Sequence, residues 1–115
     1  MILTAHQPVY LPWLGLFHKI ALADAFVSFN QVQYLPKDWN NRNRIKTRSG
    51  PIWLTVPVLK AGHREKTIKD IMINNNEPWR RKHWKSIHLN YSNAPHFDKY
   101  SSFFEDLYNR DWENL

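Results

Sequence analysis

The sequence predicts an α/β fold with a Rossmann-like β-α-β core, an antiparallel hairpin extension and C-terminal helices. Three observations carry that reading. Two short apolar runs, Ile2 to Ala5 and Ala25 to Phe29, bracket a segment whose apolar residues recur at helical spacing. Two strand-like runs, Asn43 to Thr47 and Ile52 to Leu59, are separated by Arg48-Ser49-Gly50-Pro51, where glycine accepts positive φ and proline presets its own, as a hairpin turn requires. Beyond Asn76 the apolar spacing becomes helical again.

Taken in order, Ile2 to Ala5 suits a buried strand. Pro8 and Pro12 forbid a helix between them, but proline is well placed in a first helical turn, so a helix is expected from about Pro12. Leu14, Phe17, Ile20 and Ala21 carry it to about Ala23. Ala25 to Phe29 is the second strand. If it runs parallel to the first, the crossover is right-handed, and His6, Gln7 and Tyr10 fall at the carboxyl end of the first strand beside the helix amino end. Exposed N–H groups there favour an anion. Pro57 ends or bulges its strand, because it cannot donate to the ladder. Thr67 to Ile73, imperfectly alternating, is expected as a strand. Asparagines 74 to 76 then punctuate before a helix from Glu77-Pro78 to about Asn90, capped by asparagine, and another helix runs from about Asp98 to Tyr108.

A chain of 115 residues that is 43% hydrophobic fits one domain, residues 1–115. Such a chain hides roughly two thirds of its unfolded surface without crosslinks. It has no cysteine, hence no disulfide framework and no thiolate zinc site, in agreement with a cytoplasmic location. No apolar run approaches the roughly 20 residues of a membrane span, and no secretion-signal pattern stands at the amino terminus. The net charge of +6 is distributed in clusters, Lys37 with Arg42 to Arg48, then Arg64 and Lys66, then Arg80 to Lys85. The same cations serve a phosphate pocket or a nucleic-acid groove. No nucleic-acid-binding motif is recognisable, so a small phosphorylated ligand is the leading partner and nucleic acid the alternative.

His6 follows a buried strand and precedes a loop fixed by two prolines, a position from which its imidazole can act as general acid or base near neutral pH. The bland reading is a histidine that holds the turn. Gln7 and Tyr10 are read as ligand contacts or loop braces. In a strand from Asn43 to Thr47, Arg42, Arg44 and Lys46 share one face, and three adjacent cations repel unless an anion joins them. A solvated edge strand is the alternative. Asn41 and Asn43, interleaved with these cations, join the binding set. Lys82 and His83 flank the core-facing stripe of Trp84, Ile87 and Tyr91 on the later helix; they complete the pocket from another side or, on the equal alternative, belong to a partly solvated helix surface. His6, Tyr10 and Arg42 to Lys46 are expected to converge on one concave surface. His6 and His18 lack a nearby carboxylate, and His83 and His88 stand five apart rather than on one helix face, so no metal and no other cofactor is expected.

Several ordered blocks carry a further signal. These are His6-Gln7-Pro8-x-Tyr10-Leu11-Pro12-Trp13-x-Gly15-x-Phe17-His18-Lys19-Ile20, Ala23-Asp24-x-Phe26-Val27, Trp39-x-Asn41-Arg42-Asn43-Arg44-Ile45-Lys46, Trp53-Leu54-Thr55-Val56-Pro57-Val58 and Trp79-x-x-Lys82-His83. Together they resemble the WbqC-like family of bacterial proteins along nearly the whole chain. The resemblance implies a transferase of O-antigen or other surface-polysaccharide biosynthesis, moving a glycyl or other small acyl group onto a nucleotide-activated sugar. It also implies a chain about twice as long. Asp111 to Leu115 reads as the interior of a helical pattern, so an amino-terminal part of a longer protein is expected. Asn30 stands where the family tends to carry an acidic residue, which removes a general-base or metal role from that position. The strand-loop-helix opening is also similar to that of nucleotidylyltransferases, but the two histidines of their His-x-Gly-His box are here Trp13 and Leu16.

Overall fold

In the computed structural model, which describes residues 1–115, β1 (Leu3–His6) and β2 (Ala25–Ser28) pair in parallel, with Leu3 opposite Ala25 and His6 opposite Ser28. They are joined through α1 (Leu14–Ala21). The helix starts two residues later than Pro12, with Trp13 extended at its N-cap. β3 (Arg42–Thr47) and β4 (Gly50–Thr55) form an antiparallel hairpin, followed by two 3₁₀ turns and the helices α2 (Trp79–Tyr91) and α3 (Phe97–Asn109). The result is a mixed α/β arrangement with two separate two-stranded sheets. The hairpin does not extend the parallel pair, as had been expected; it packs beside α2 instead.

The hairpin turn is tighter than the sequence suggests. Thr47 pairs directly with Gly50, whose φ of 109° is accessible to glycine without strain, and Pro51 is already in the strand opposite Lys46. At the other end β4 stops at Thr55 rather than Leu59. Pro57 has no N–H to give, and the chain beyond it changes partner: Val58 bridges Ile73, and the Leu59 N–H donates to Met72 O at 2.9 Å.

The segment from Thr67 to Ile73 is not the expected strand. Ile68–Asp70 forms a 3₁₀ turn between isolated bridges at Thr67, Met72 and Ile73. Three residues per turn bring Ile68 and Ile71 to the same side, and both are essentially solvent-free. That spacing explains the imperfect alternation. No asparagine caps α2 either, since Pro78 occupies its N-cap. Asn75 instead accepts from the Trp79 indole N–H at 3.0 Å and donates to Trp112 O at 2.7 Å. Residues 111–115 are not helical, which corrects the expected continuation. Arg80 draws the carbonyls of Asn109 and Arg110 to its guanidinium and pairs with Asp111 at 3.0 Å, satisfying the open end of α3.

Two apolar clusters hold these pieces. Val56, Ile73, Trp79 and Tyr108 gather where β4, α2 and α3 meet; Tyr34, Ile68 and Ile71 gather under the 3₁₀ turn, and Leu115 packs against both. By contrast, on the β1–α1–β2 unit only Leu16 of α1 is buried, while Leu3, Leu14, Phe17 and Phe26 stay exposed. No helix is long and apolar enough to cross a membrane.

The packing makes a direct prediction. Ile68→Ala is expected to cost about 2–5 kcal/mol, the range for emptying a filled aliphatic site, whereas Ile52→Ala on the exposed side of the hairpin is expected to cost far less. Denaturant midpoints of the two variants decide it, and equal shifts would show that the 3₁₀ turn does not organise a core.

Candidate functional site

His6 ends β1, where its carbonyl accepts the Phe29 N–H at 2.8 Å. Its ring Nδ1 lies 2.8 Å from Gln7 O. A carbonyl only accepts, so Nδ1 is the donor there, the tautomer that in the neutral ring leaves Nε2 as the acceptor. The ring meets Trp13 edge-on, with centroids 5.4 Å apart. Gly15 makes room for that indole: a Cβ there would sit 2.5 Å from Trp13 Nε1.

The loop after His6 is braced by asparagines. Asn40 Nδ2 donates to Pro8 O at 3.0 Å and reaches Gln7 Oε1 at 3.4 Å. Asn43 Nδ2 donates to both Tyr10 O and Leu11 O, at 3.1 and 2.8 Å. Leu11 has φ of 47°, a left-handed conformation that costs a branched residue about 1–2 kcal/mol, and Asn43 grips the carbonyls on either side of it. Asn41 Nδ2 donates to Val56 O at 2.9 Å, which anchors the entry of β3 to the exit of β4.

Tyr10 turns away from His6 into the space between α2 and α3. Its hydroxyl lies 2.7 Å from His83 Nδ1 and also bonds the Tyr108 hydroxyl. His83 Nε2 lies 3.0 Å from Thr55 O and must donate there, so Nδ1 is the acceptor. The direction of the chain follows: Tyr108 O–H to Tyr10, Tyr10 O–H to His83, His83 N–H to Thr55. Burial pushes the His83 imidazole below its ordinary pKa, partly offset by the Thr55 hydrogen bond. Burial likewise pushes both phenols up, with Tyr108 adding to the effect on Tyr10. His83 is neutral, and both its nitrogens are engaged.

A different set faces outward. Arg42 and Arg44 lie over the Trp53 ring, their guanidinium carbons 4.1 and 5.3 Å from its centroid, and Trp53 is the direct cross-strand partner of Arg44. Trp39 leans on Trp53 at 5.5 Å. A cavity of about 290 Å³ between Trp13, Trp39 and Asn43 joins the His6 end to this aromatic platform. A larger groove continues past Trp39, Arg44, Lys46 and Arg48. The two cavities share Trp39 and Asn43; His6 touches this region through its contact with Trp13, and Tyr10, bonded to His83 and Tyr108, lines neither cavity. Arg42 Nη2 is additionally tied to Lys37 O at 2.6 Å. None of these cations pairs with a carboxylate; the ion pair present is Arg80 with Asp111.

Of the residues expected to bind substrate, Gln7, Tyr10, Asn41, Asn43 and His83 thus have polar groups engaged within the chain, and Lys82 lies exposed on α2. Trp39 and Asn40 open the Trp39 to Lys46 stretch that stands out in the sequence, but nothing in the sequence assigns them, or Trp53, a binding role of their own. The signal for Trp53 was its register opposite Arg44, on the outward face of a strand whose Leu54 is buried. No group of three His, Asp or Glu side chains comes together as a metal set.

Residues 7–115 match the WbqC-like protein family. The uncharacterized protein Rv1507c of Mycobacterium tuberculosis is 39% identical over 102 residues, which cover 89% of this chain and 44% of that relative. The chain thus spans less than half the length of the relative it matches. No solved structure matches it.

Two outcomes are expected of the buried chain of hydroxyls and imidazole. Tyr10→Phe leaves His83 Nδ1 and the Tyr108 hydroxyl without their partner and is expected to lower stability by about 1–3 kcal/mol. The pH dependence has a definite sign. Because the folded His83 pKa lies below the unfolded value of about 6.5, its full contribution is present above that pH. As pH falls below it, the unfolded state takes up a proton that the folded state refuses, and stability is lost. Thermal melts from pH 8 to 5 should show a smaller acid loss in His83→Gln than in the native protein, and parallel curves would contradict a buried neutral imidazole.

Proposed function

This chain belongs to the WbqC-like protein family, and we propose that it forms the nucleotide-sugar-binding part of a cytoplasmic transferase in O-antigen or other surface-polysaccharide biosynthesis. The observation that carries this reading is the pair of ring contacts, His6 with Trp13 and Trp39 with Trp53, set on the two sides of one cavity lined by Trp13 and Trp39, with Arg42 and Arg44 over the Trp53 ring. Flat indoles stack on a base or sugar ring, and guanidinium forks receive phosphate oxygens bidentately. Here the arginines are already held by Trp53, so less side-chain freedom is lost on binding. The β1–α1–β2 unit is taken as a Rossmann-like element that presents His6 at the carboxyl end of its first strand.

The reaction is assigned as transfer of a glycyl or other small acyl group from an activated ester or thioester to a hydroxyl or amine of the bound sugar. The sugar nucleophile attacks the acyl carbonyl and His6 Nε2 takes its proton; when the tetrahedral intermediate collapses, the bond to the donor's oxygen or sulfur breaks and His6 returns that proton to the departing group, which leaves as the alcohol or thiol. Arg42, Arg44 and Lys46 hold the diphosphate and thereby orient the sugar. Tyr10, Asn43 and His83 act one step back, holding the loop that follows His6.

The same indoles and arginines also suit the bases and backbone of single-stranded nucleic acid, which is the second reading. Calorimetric titration with UDP-glucose and with an oligonucleotide separates the two. Nucleotide-sugar binding that weakens by about tenfold in Trp53→Ala is expected, since one stacked ring contributes about 1–3 kcal/mol. Oligonucleotide binding with a steep salt dependence and no affinity for UDP-glucose would favour the second reading instead. With acyl transfer followed by mass spectrometry, His6→Gln is expected to leave melting temperature and UDP-glucose affinity nearly unchanged and to slow single turnover by roughly a hundredfold. An unchanged rate at saturating substrate would remove His6 from the chemistry.

A further inference from the structure

Parallel strands occur almost only in sheets buried on both faces, and a two-stranded sheet is marginal by itself. The β1–α1–β2 unit is such a pair, and the chain does not cover it. In the β1–β2 register Leu3, Ala5 and Val27 share one face and Phe26 lies on the other. Val27 is 41% and Phe26 40% exposed, and a single helix occupies one side only, so α1 cannot cover both. The helix is itself apolar outward: Leu14 and Phe17, three positions apart on one helix face, are 86% and 54% exposed. The hairpin, which could have enlarged the pair, forms its own sheet. One edge is open as well. Ile2 and His6 turn their carbonyls to β2, where the Ala25 and Phe29 N–H groups donate to them at 3.2 and 2.8 Å. Alternation then turns the backbone groups of Leu3 and Ala5 to the opposite side. What meets the Ala5 carbonyl there is one flexible side chain, Lys19, whose Nζ donates at 2.8 Å.

We propose that this unit is a docking surface for a further parallel strand and its crossover helix, added at the free edge of β1 and supplied by the polypeptide that the mycobacterial relative carries outside the matched stretch. Length argues for that occupant. The match takes in 44% of the relative, so more residues lie outside it than within it, enough for several β-α units of about 30 residues each. Handedness argues for it too, because a right-handed strand-helix-strand repeat extends a parallel sheet in parallel and lays helices over its faces. A second copy of this chain supplies neither. Two-fold symmetry pairs identical edges antiparallel and adds only another uncovered pair, and two chains of net charge +6 repel. His6, at the carboxyl end of β1, then stands at the seam between β1 and the added strand. The surface is independent of whatever ligand the cationic groove takes.

Co-expression of this chain with the part of the mycobacterial relative that lies outside the match tests the assignment. A one-to-one complex is expected by native mass spectrometry. Within it, hydrogen exchange should slow by about a hundredfold or more in peptides covering β1 and β2, and far less in the hairpin and α2. Val27→Asp and Leu14→Glu, at positions already open to water, should leave the melting temperature of the chain alone nearly unchanged and abolish the complex. Leu89→Glu, also open but on α2, should leave the complex intact. Absence of a complex with the native chain would overturn the proposal, as would a complex whose protection falls on the hairpin or α2 instead. Slow exchange at β1 and β2 in the chain alone would overturn it without recourse to any variant. A stable dimer of the chain alone that Val27→Asp dissolves would assign the surface to a second copy and overturn the occupant named here. A complex formed by a chain with no affinity for UDP-glucose supports the docking surface and counts against the nucleotide-sugar reading alone.

Discussion

Burying Tyr10 obliges its hydroxyl to find partners, and those it finds, His83 on α2 and Tyr108 on α3, lie 73 and 98 positions away in the chain. A buried phenol without a partner would forfeit a hydrogen bond that water had supplied, so the loop, the two helices and the exit of β4 are specified together. Each member points only one way, because the Thr55 carbonyl at the end of the chain can only accept. The loop after β1 is thereby fixed to elements with which β1 itself makes no sheet.

This arrangement separates scaffold from chemistry within one motif. The asparagines at 40, 41 and 43 spend their amide groups on backbone carbonyls of the loop and of β4, and the two tyrosines and His83 spend theirs on one another. What is left outward is narrow in kind: an imidazole lone pair on His6, flat indoles, and guanidinium and ammonium groups without counter-ions. Preorganisation of that sort lowers the entropy lost on binding, which is why the strain at Leu11 is tolerable.

The cationic face of β3 also shows how a fold keeps like charges together before any ligand arrives. Arg42 and Arg44 share the electron-rich face of Trp53, and Arg42 adds a bond to Lys37 O. Cation–π contact offsets part of their repulsion; Arg44 stays exposed, while Arg42 is half-buried with its Nε shielded from solvent. On the opposite face of the same strand Ile45 is buried, as period-two alternation requires.

The sequence by itself determined the parallel β-α-β order, the hairpin and the two closing helices, because apolar periodicity and the fixed φ of proline are properties of neighbouring residues. It also placed His6 at the strand end and Arg42, Arg44 and Lys46 on one strand face, since a two-residue period needs no knowledge of the rest of the chain. It misread Thr67 to Ile73, where Ile68 and Ile71 satisfy a three-residue turn as well as an irregular strand, and only packing distinguishes the two. It carried the strand-like run to Leu59 while marking Pro57 as its end or bulge, and could not name the partner that takes over beyond it, Met72 with Ile73, because that partner is distant in sequence. Tertiary structure alone decided that Tyr10 and His83 face inward and Trp53 outward toward the arginines. Hydrogen-bond partners separated by 73 residues, and a ring shared by two cations, exist only once the elements are brought together.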